Sequence, residues 1–174
     1  MNNVLINACG VKSLGGVNVL LTSIQKIKKY TNIEILVSED SLKNKLRVAN
    51  DEKIVVVKKP RFIHPVLPFF LNKDVKKWIN SFDIIIHFGN FGFKSKTKDI
   101  VFVQNILPYS DKKFSLKMIT LRYLINRSIK FSYKTVVQNQ HVIDYLPSKF
   151  KSKIRNIGYL SLCKITKSNG RGIV

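Results

Sequence analysis

A strand-sized apolar run, Val4–Ala8, opens into a segment holding Gly10, Gly15 and Gly16, and a helical pattern follows from Val17. Glycine lets backbone N–H groups approach an anion closely, and a helix N-terminus adds partial positive charge, so this strand-loop-helix can cradle a diphosphate. The spacing is neither G-x-G-x-x-G nor a Walker loop, because no Lys-Ser/Thr pair follows the glycines. The alternative reading is a tight strand-to-helix turn, which every α/β domain needs. Three further strand ends carry polar residues. His87 closes Asp83–His87 and precedes a loop, Phe88-Gly89-Asn90-Phe91-Gly92-Phe93, whose glycines alternate with aromatics. Gln104-Asn105 follows Ile100–Val103, and Gln138-Asn139-Gln140-His141 follows the next apolar run. Gln and Asn can hydrogen-bond a substrate but do not titrate, so they are binding groups and not general bases.

Other chemistries lack their residues. His64, His87 and His141 lie in separate segments without metal-ligand spacing, so no metal site is expected. No G-x-S-x-G elbow or carboxylate dyad stands out, and Asp83, Asp99 and Asp111 read as capping or surface residues. Cys9 and Cys163 read as reduced thiols of a cytoplasmic chain.

These residues need a scaffold to hold them. Short Val- and Ile-rich runs recur at 4–8, 33–37, 53–57, 83–87, 100–104 and 135–138. Their continuous apolarity marks strands buried on both faces. Helical patterns at 17–29, 41–48, 73–80, 115–131 and 140–146 alternate with them, with Ser38 or Asp40 as a cap for the second and Pro147 as a stop for the last. The expected fold is a doubly wound, mostly parallel, Rossmann-like α/β sheet. One domain is expected over residues 1–158, with 159–174 as a basic tail or truncated linker. In the long helix Phe114, Met118, Leu121, Ile125 and Ile129 share one stripe, while Lys117, Arg122, Arg127 and Lys130 scatter around the circumference. That pattern favours core packing over a nucleic-acid face.

The chain has 174 residues, with 31 Lys+Arg against 10 Asp+Glu and a formal net charge of +21. An acidic partner is expected: nucleic acid, an anionic membrane face or a phosphorylated substrate. The abundance of Lys, Asn and Ile is also what an A/T-rich coding sequence produces, which discounts part of this excess. The stretch Phe62–Leu71 is about half the ~20 residues of a spanning helix and contains Pro65 and Pro68. Its aromatic residues Phe62, Phe69 and Phe70, flanked by Lys59, Arg61, Lys76, Lys77 and Trp78, suit an anionic inner-membrane surface. The alternative is a buried loop with solvated ends.

In order and spacing these features resemble the N-terminal half of a GT-B glycosyltransferase, most closely the family 4 type of lipopolysaccharide, O-antigen and capsule synthesis. The carriers are SLGGVNVLL, FDIIIHFGNFG, DIVFVQNILP, KTVVQNQHVIDYL and KIRNIGYL, so the resemblance runs to about Gly158. It implies one half of a two-domain fold that transfers sugar, with retention and without a metal, from a nucleotide sugar to a lipid-linked or saccharide acceptor. Gly15, Gly16, Val17 and Asn18 would take the donor diphosphate, and His87, Asn90, Gln104 and Asn105 would line the acceptor side. Gln104 stands where many members place a His. The family's second domain, with its basic residue and E-x7-E-type pattern, does not follow, so the chain is expected to be truncated and inactive alone, or completed by a separately encoded domain. The alternatives are a basic, non-enzymatic α/β module that binds nucleic acid, and a non-functional gene remnant.

Overall fold

The computed structural model describes residues 3–47, 53–59, 61–104, 107–110 and 115–158. Strand β1 (Asn3–Asn7) leads into helix α1 (Leu14–Ile27), followed by β2 (Asn32–Val37), α2 (Asp40–Arg47) and β3 (Lys53–Val56). A 3₁₀ segment, Arg61–Phe70, bends at Val66 and runs into α3 (Lys73–Ile79) and β4 (Ile84–Phe88). Then come β5 (Lys98–Val103), the single turn α4 (Leu107–Ser110), α5 (Leu116–Phe131), β6 (Lys134–Val137) and α6 (Gln140–Tyr145). A second 3₁₀ segment, Ser148–Lys153, enters β7 (Ile154–Asn156).

The seven strands form one sheet in the order β3-β2-β1-β4-β5-β6-β7, every pair parallel. Successive strand residues point to opposite faces, and both faces are apolar. Val4, Ile6, Ile33 and Ile35 join Leu20 and Ile24 of α1 and Leu42 and Leu46 of α2 in one core. On the other face Leu5, Leu36 and Ile85 pack with Ile79 of α3, and Val101, Val103 and Val137 pack with Ile125 and Ile129 of α5. Fully burying each such side chain stabilises by about 1.5–3 kcal/mol, so strands apolar on both faces hold two helical layers. The doubly wound, Rossmann-like sheet expected from the runs of Val and Ile is the architecture observed.

The chain reverses direction across the sheet between β1 and β4, where β1 pairs with β2 on one side and β4 on the other. Such a switch point opens a crevice beyond the strand carboxyl ends, because the loops after the two strands diverge to opposite faces.

Candidate functional site

At that crevice lies an open cleft of about 550 Å³, built from the ends of four strands. From β1 come Gly10, Lys12, Ser13, Gly15 and Gly16; from β4 Gly89 and Asn90; from β5 Gln104; from β6 Gln138.

The glycine segment is helical earlier than the pattern from Val17 suggests. Ser13, in an extended conformation (φ −71°, ψ 150°), caps α1: its Oγ accepts the Gly16 N–H at 3.1 Å and its carbonyl accepts the Val17 N–H at 3.0 Å. First-turn amides have no carbonyl four residues behind them. With Gly16 answered by Ser13, those of Leu14 and Gly15 are left for solvent or ligand. A Cβ placed on Gly15 would meet nothing within 4 Å, so this residue faces open space. Two of the residues assigned to the diphosphate are placed elsewhere. Val17 is 5% exposed, its side chain is in the core and its amide is in the helical ladder. Asn18 is exposed on α1 but lies a turn inside the helix and does not line the cleft.

The floor is set by the loop after β4. Gly89 (φ +102°) and Asn90 (φ +79°) adopt left-handed conformations in succession. A Cβ on Gly89 would sit 2.8 Å from the Gly10 backbone, so only glycine lets the two loops touch. Asn is among the few other residues that tolerate this region. Its Oδ1 accepts the Gln104 N–H at 2.7 Å and its own N–H donates to the Phe102 carbonyl at 3.2 Å, which fixes the end of β5. The Gln104 Oε1 then lies 3.8 Å from the position a Gly16 Cβ would occupy, bringing β5 against the glycine turn. Asn105 lies outside the described residues. Asn139 caps α6 through the Val142 N–H at 3.0 Å, leaving Gln138 as the cleft residue of its segment.

His87 is not at the cleft. Its ring is fully buried, with Nδ1 2.9 Å from Asn7 Nδ2 and Nε2 3.1 Å from Asp99 Oδ1. Asn7 Oδ1 accepts the Cys9 N–H at 3.2 Å, so its amide nitrogen is the donor to Nδ1 and the ring proton sits on Nε2, facing Asp99. Asp99 also accepts from Ser95 Oγ at 2.7 Å and Ser95 N–H at 3.0 Å. The histidine therefore ties β1, β4 and β5 together beneath the cleft. Gly92 covers the ring: a Cβ there would lie 2.3 Å from His87 Cγ. The neighbouring Cys9 is 1% exposed, and burial pushes its thiol up to about 12, so it is no nucleophile at neutral pH.

Lys12 also lines the cleft, a residue with no contrast in so lysine-rich a sequence. Its Nζ is 3.0 Å from Glu39 Oε1, both side chains about half exposed, so an anion in the cleft can draw the ammonium at little cost. No Asp, Glu or His lines the cleft among the described residues. The arrangement can hold an anion and hydroxyl groups; it carries no side chain to move a proton at neutral pH.

The membrane-facing residues divide. Phe69 and Phe70 are 80% and 51% exposed, and Lys59 and Lys77 are exposed. Lys76 is half-buried in a smaller cavity with Pro68 and Phe69. Trp78 is half-buried: its indole N–H donates to Glu34 at 2.9 Å and its ring meets Phe82 edge-on at 5.4 Å, so it clamps α3 to the sheet. The side chains of Arg61 and Phe62 lie outside those described. No helix among the described residues is long and apolar enough to cross a membrane.

Fold and site together define a Rossmann-like α/β domain with an anion-compatible cleft at its switch point, in the manner of one half of a GT-B fold. Its backbone is similar to that of HepE (Alr3699) of Anabaena, solved in complex with UDP-glucose: TM-score 0.63 at 14% identity over 91% of this chain and 44% of that one. It is also similar to UGT2 of Phytolacca americana complexed with UDP-2fluoro-glucose and pterostilbene: TM-score 0.59 at 7% identity over 92% and 55%. The chain thus spans about half the length of these proteins, and at such identities the likeness is one of fold. No protein-family model matches the chain, and no curated protein matches it in sequence.

Proposed function

We propose that this chain is the acceptor-side half of a retaining glycosyltransferase of family 4 type. It would act with a second α/β domain to move sugar from a nucleotide donor to a lipid-linked or saccharide acceptor in surface-polysaccharide synthesis. The observation that carries the reading is the cleft itself, where the first turn of α1 meets the ends of β4, β5 and β6 at the switch point. The fold it shares with structures holding UDP and UDP-glucose supports the same reading. In this account the Leu14 and Gly15 amides, the α1 N-terminus and Lys12 stabilise the charge of the departing diphosphate, without a metal. Gln104 and Gln138 hold acceptor hydroxyls, with Asn90 positioning Gln104. The donor nucleoside is held by the second domain, so the chain alone binds weakly and does not transfer. The exposed Phe69 and Phe70 with Lys59 and Lys77 fit peripheral contact with the inner face of the cytoplasmic membrane.

Calorimetric titration with UDP tests this. A half-site should bind in the millimolar range, about −4 kcal/mol. Gly15→Ala should stabilise α1 by about 0.5–1 kcal/mol, yet weaken UDP at least ~5-fold, because the methyl stands where the diphosphate approaches an amide. A folded chain without saturable UDP binding, or a Gly15→Ala variant binding as well as the parent, would refute the reading.

A further inference from the structure

Among the described residues, every crossover between successive strands contains a helix except the one from β4 to β5. Residues 89–97 instead return as an extended strip, packed with Phe93 against the core of α3 and with Phe91 against that of α5. Beside α3 this leaves a pocket of about 320 Å³, lined in part by Ile79 and Asn80, which precede β4, and Ser95 and Lys96, which precede β5. It therefore lies towards the amino ends of these strands, and it shares no lining residue with the cleft at the carboxyl ends. Lys76 lines it from α3, and Lys94 and Lys96 from the strip. Among the described residues none of these three lysines is in an ion pair, and no Asp or Glu lines the pocket. Like charges held together without a counter-charge favour an anion between them.

The strip is held in place. Ser95, between two of these lysines, donates its N–H to Asp99 Oδ2 at 3.0 Å and its hydroxyl to Asp99 Oδ1 at 2.7 Å, while its Oγ accepts the Thr97 N–H at 3.0 Å. Phe93 and Ile79 are buried together and close the floor. The accessible walls are Pro68, Phe69 and the methylene stems of the lysines. With Ser95 engaged, Asn80 is the one uncharged polar side chain left to a ligand among the described lining residues. Recognition here rests on charge and apolar contact, with almost no hydrogen-bond pattern to read. Phe69 projects at the rim and Phe70 beside it, both exposed.

We infer that this pocket holds the headgroup of one anionic phospholipid, its phosphate among Lys76, Lys94 and Lys96 and its first chain carbons along Pro68 and Phe69. The inference rests on the membrane contact proposed for Phe69 and Phe70, and it turns that contact from a diffuse one into a site. A phosphate monoester carries about −1.5 to −2 charge, which suits three gathered ammonium groups. A volume of about 320 Å³ takes a headgroup and the start of a chain, leaving the rest in the bilayer that the projecting rings enter. An acidic peptide fits less well, because its backbone N–H groups need acceptors when buried, and the lining side chains offer one only at Asn80.

The test is titration of the whole chain with dihexanoylphosphatidic acid kept monomeric, against glycerol 3-phosphate, which lacks the chains, dihexanoylphosphatidylcholine, which lacks the net charge, and hexaglutamate. Flotation with phosphatidylcholine vesicles, with and without phosphatidic acid, is run in parallel. Dihexanoylphosphatidic acid should bind saturably and at least ~10-fold tighter than each of the other three, as charge-assisted contacts and apolar burial act together. Lys76→Glu/Lys96→Glu should lower that affinity at least ~10-fold, and Lys94→Glu alone should lower it in the same direction. Lys26→Glu/Lys45→Glu, the same charge change at exposed positions of α1 and α2 on the other face of the sheet, should leave it within about twofold. Phe70→Ser should weaken capture by the acidic vesicles and leave the monomeric lipid bound as before. Thermal unfolding like that of the parent certifies each variant as folded. Equal affinity for glycerol 3-phosphate or the phosphatidylcholine, tighter binding of hexaglutamate, unchanged lipid binding in the folded pocket variants, or an equal loss in the α1/α2 variant would overturn the inference. Capture by acidic vesicles without binding of the monomer would also overturn it while leaving the membrane contact. Binding of the monomer without vesicle capture would overturn the membrane contact and leave the pocket standing.

Discussion

His87 marks the difference between a polar residue placed at a strand end and one placed in a site. Both ring nitrogens are used, one by Asn7 and one by Asp99, so the residue expected on the acceptor side is a structural brace. His87→Ala would leave the Asn7 amide and the Asp99 carboxylate with unmet partners and a void beneath Gly92. A loss of about 2–4 kcal/mol in denaturant unfolding is expected, with UDP affinity of the folded fraction unchanged. Unchanged stability with abolished UDP binding would return His87 to the site. The signal that could have separated these roles was Asn7, a polar residue inside a strand otherwise apolar: buried polar groups need partners, and β4 lies beside β1. Lys12 was hidden for the opposite reason, since one lysine among so many carries no contrast. Gln104 was legible because it emerges from a strand whose other residues are almost all apolar.

Most strands and helices were legible, with ends displaced by a few residues. The consequential displacement is α1, which begins at Leu14 and not Val17. Two glycines disfavour helix, but the Ser13 cap answers the Gly16 amide and carries the helix through them. That shift of three residues moves the free first-turn amides to Leu14 and Gly15 and sends Val17 into the core. Ser13→Ala should therefore cost about 1 kcal/mol in thermal or denaturant unfolding. Ser13→Asp, which caps comparably, should retain the stability yet weaken UDP through its negative charge at the cleft. A Ser13→Ala variant as stable as the parent would show that the cap does not hold this turn. The stripe expected on α5 packs on the sheet at Leu121, Ile125 and Ile129, whereas Met118 is half-buried outside that core and Phe114 lies outside the described residues. Its basic residues do scatter around the helix. Arg122 donates to the Pro108 carbonyl, and Arg127 and Lys130 line one groove with Lys94 and Lys149, a grouping that exists only in three dimensions. The sequence leaves Phe62–Leu71 open between a membrane-facing patch and a buried loop, because its prolines break both helical and strand periods; it folds within the 3₁₀ segment Arg61–Phe70.

For the whole molecule, strands apolar on both faces alternating with helices leave few arrangements, and the right-handed crossover rule leaves fewer. The sheet class was therefore legible from composition and alternation alone. The cleft was legible only as four separate strand ends; what joins them is the reversal between β1 and β4 together with the Gly10–Gly89 contact, neither of which has a local signature. The net charge of +21 is likewise a property of the sum, and the fold distributes it: one lysine in the cleft and four cations at the opposite end of the sheet. The most direct test of the cleft as a nucleotide-diphosphate site is to follow backbone amide resonances of the isotope-labelled chain during UDP titration. The account predicts saturable shifts centred on Lys12, Leu14, Gly15, Gly16, Asn90 and Gln104, with His87 and the α5 groove little affected. Shifts centred elsewhere, or none at millimolar UDP in a folded chain, would contradict it.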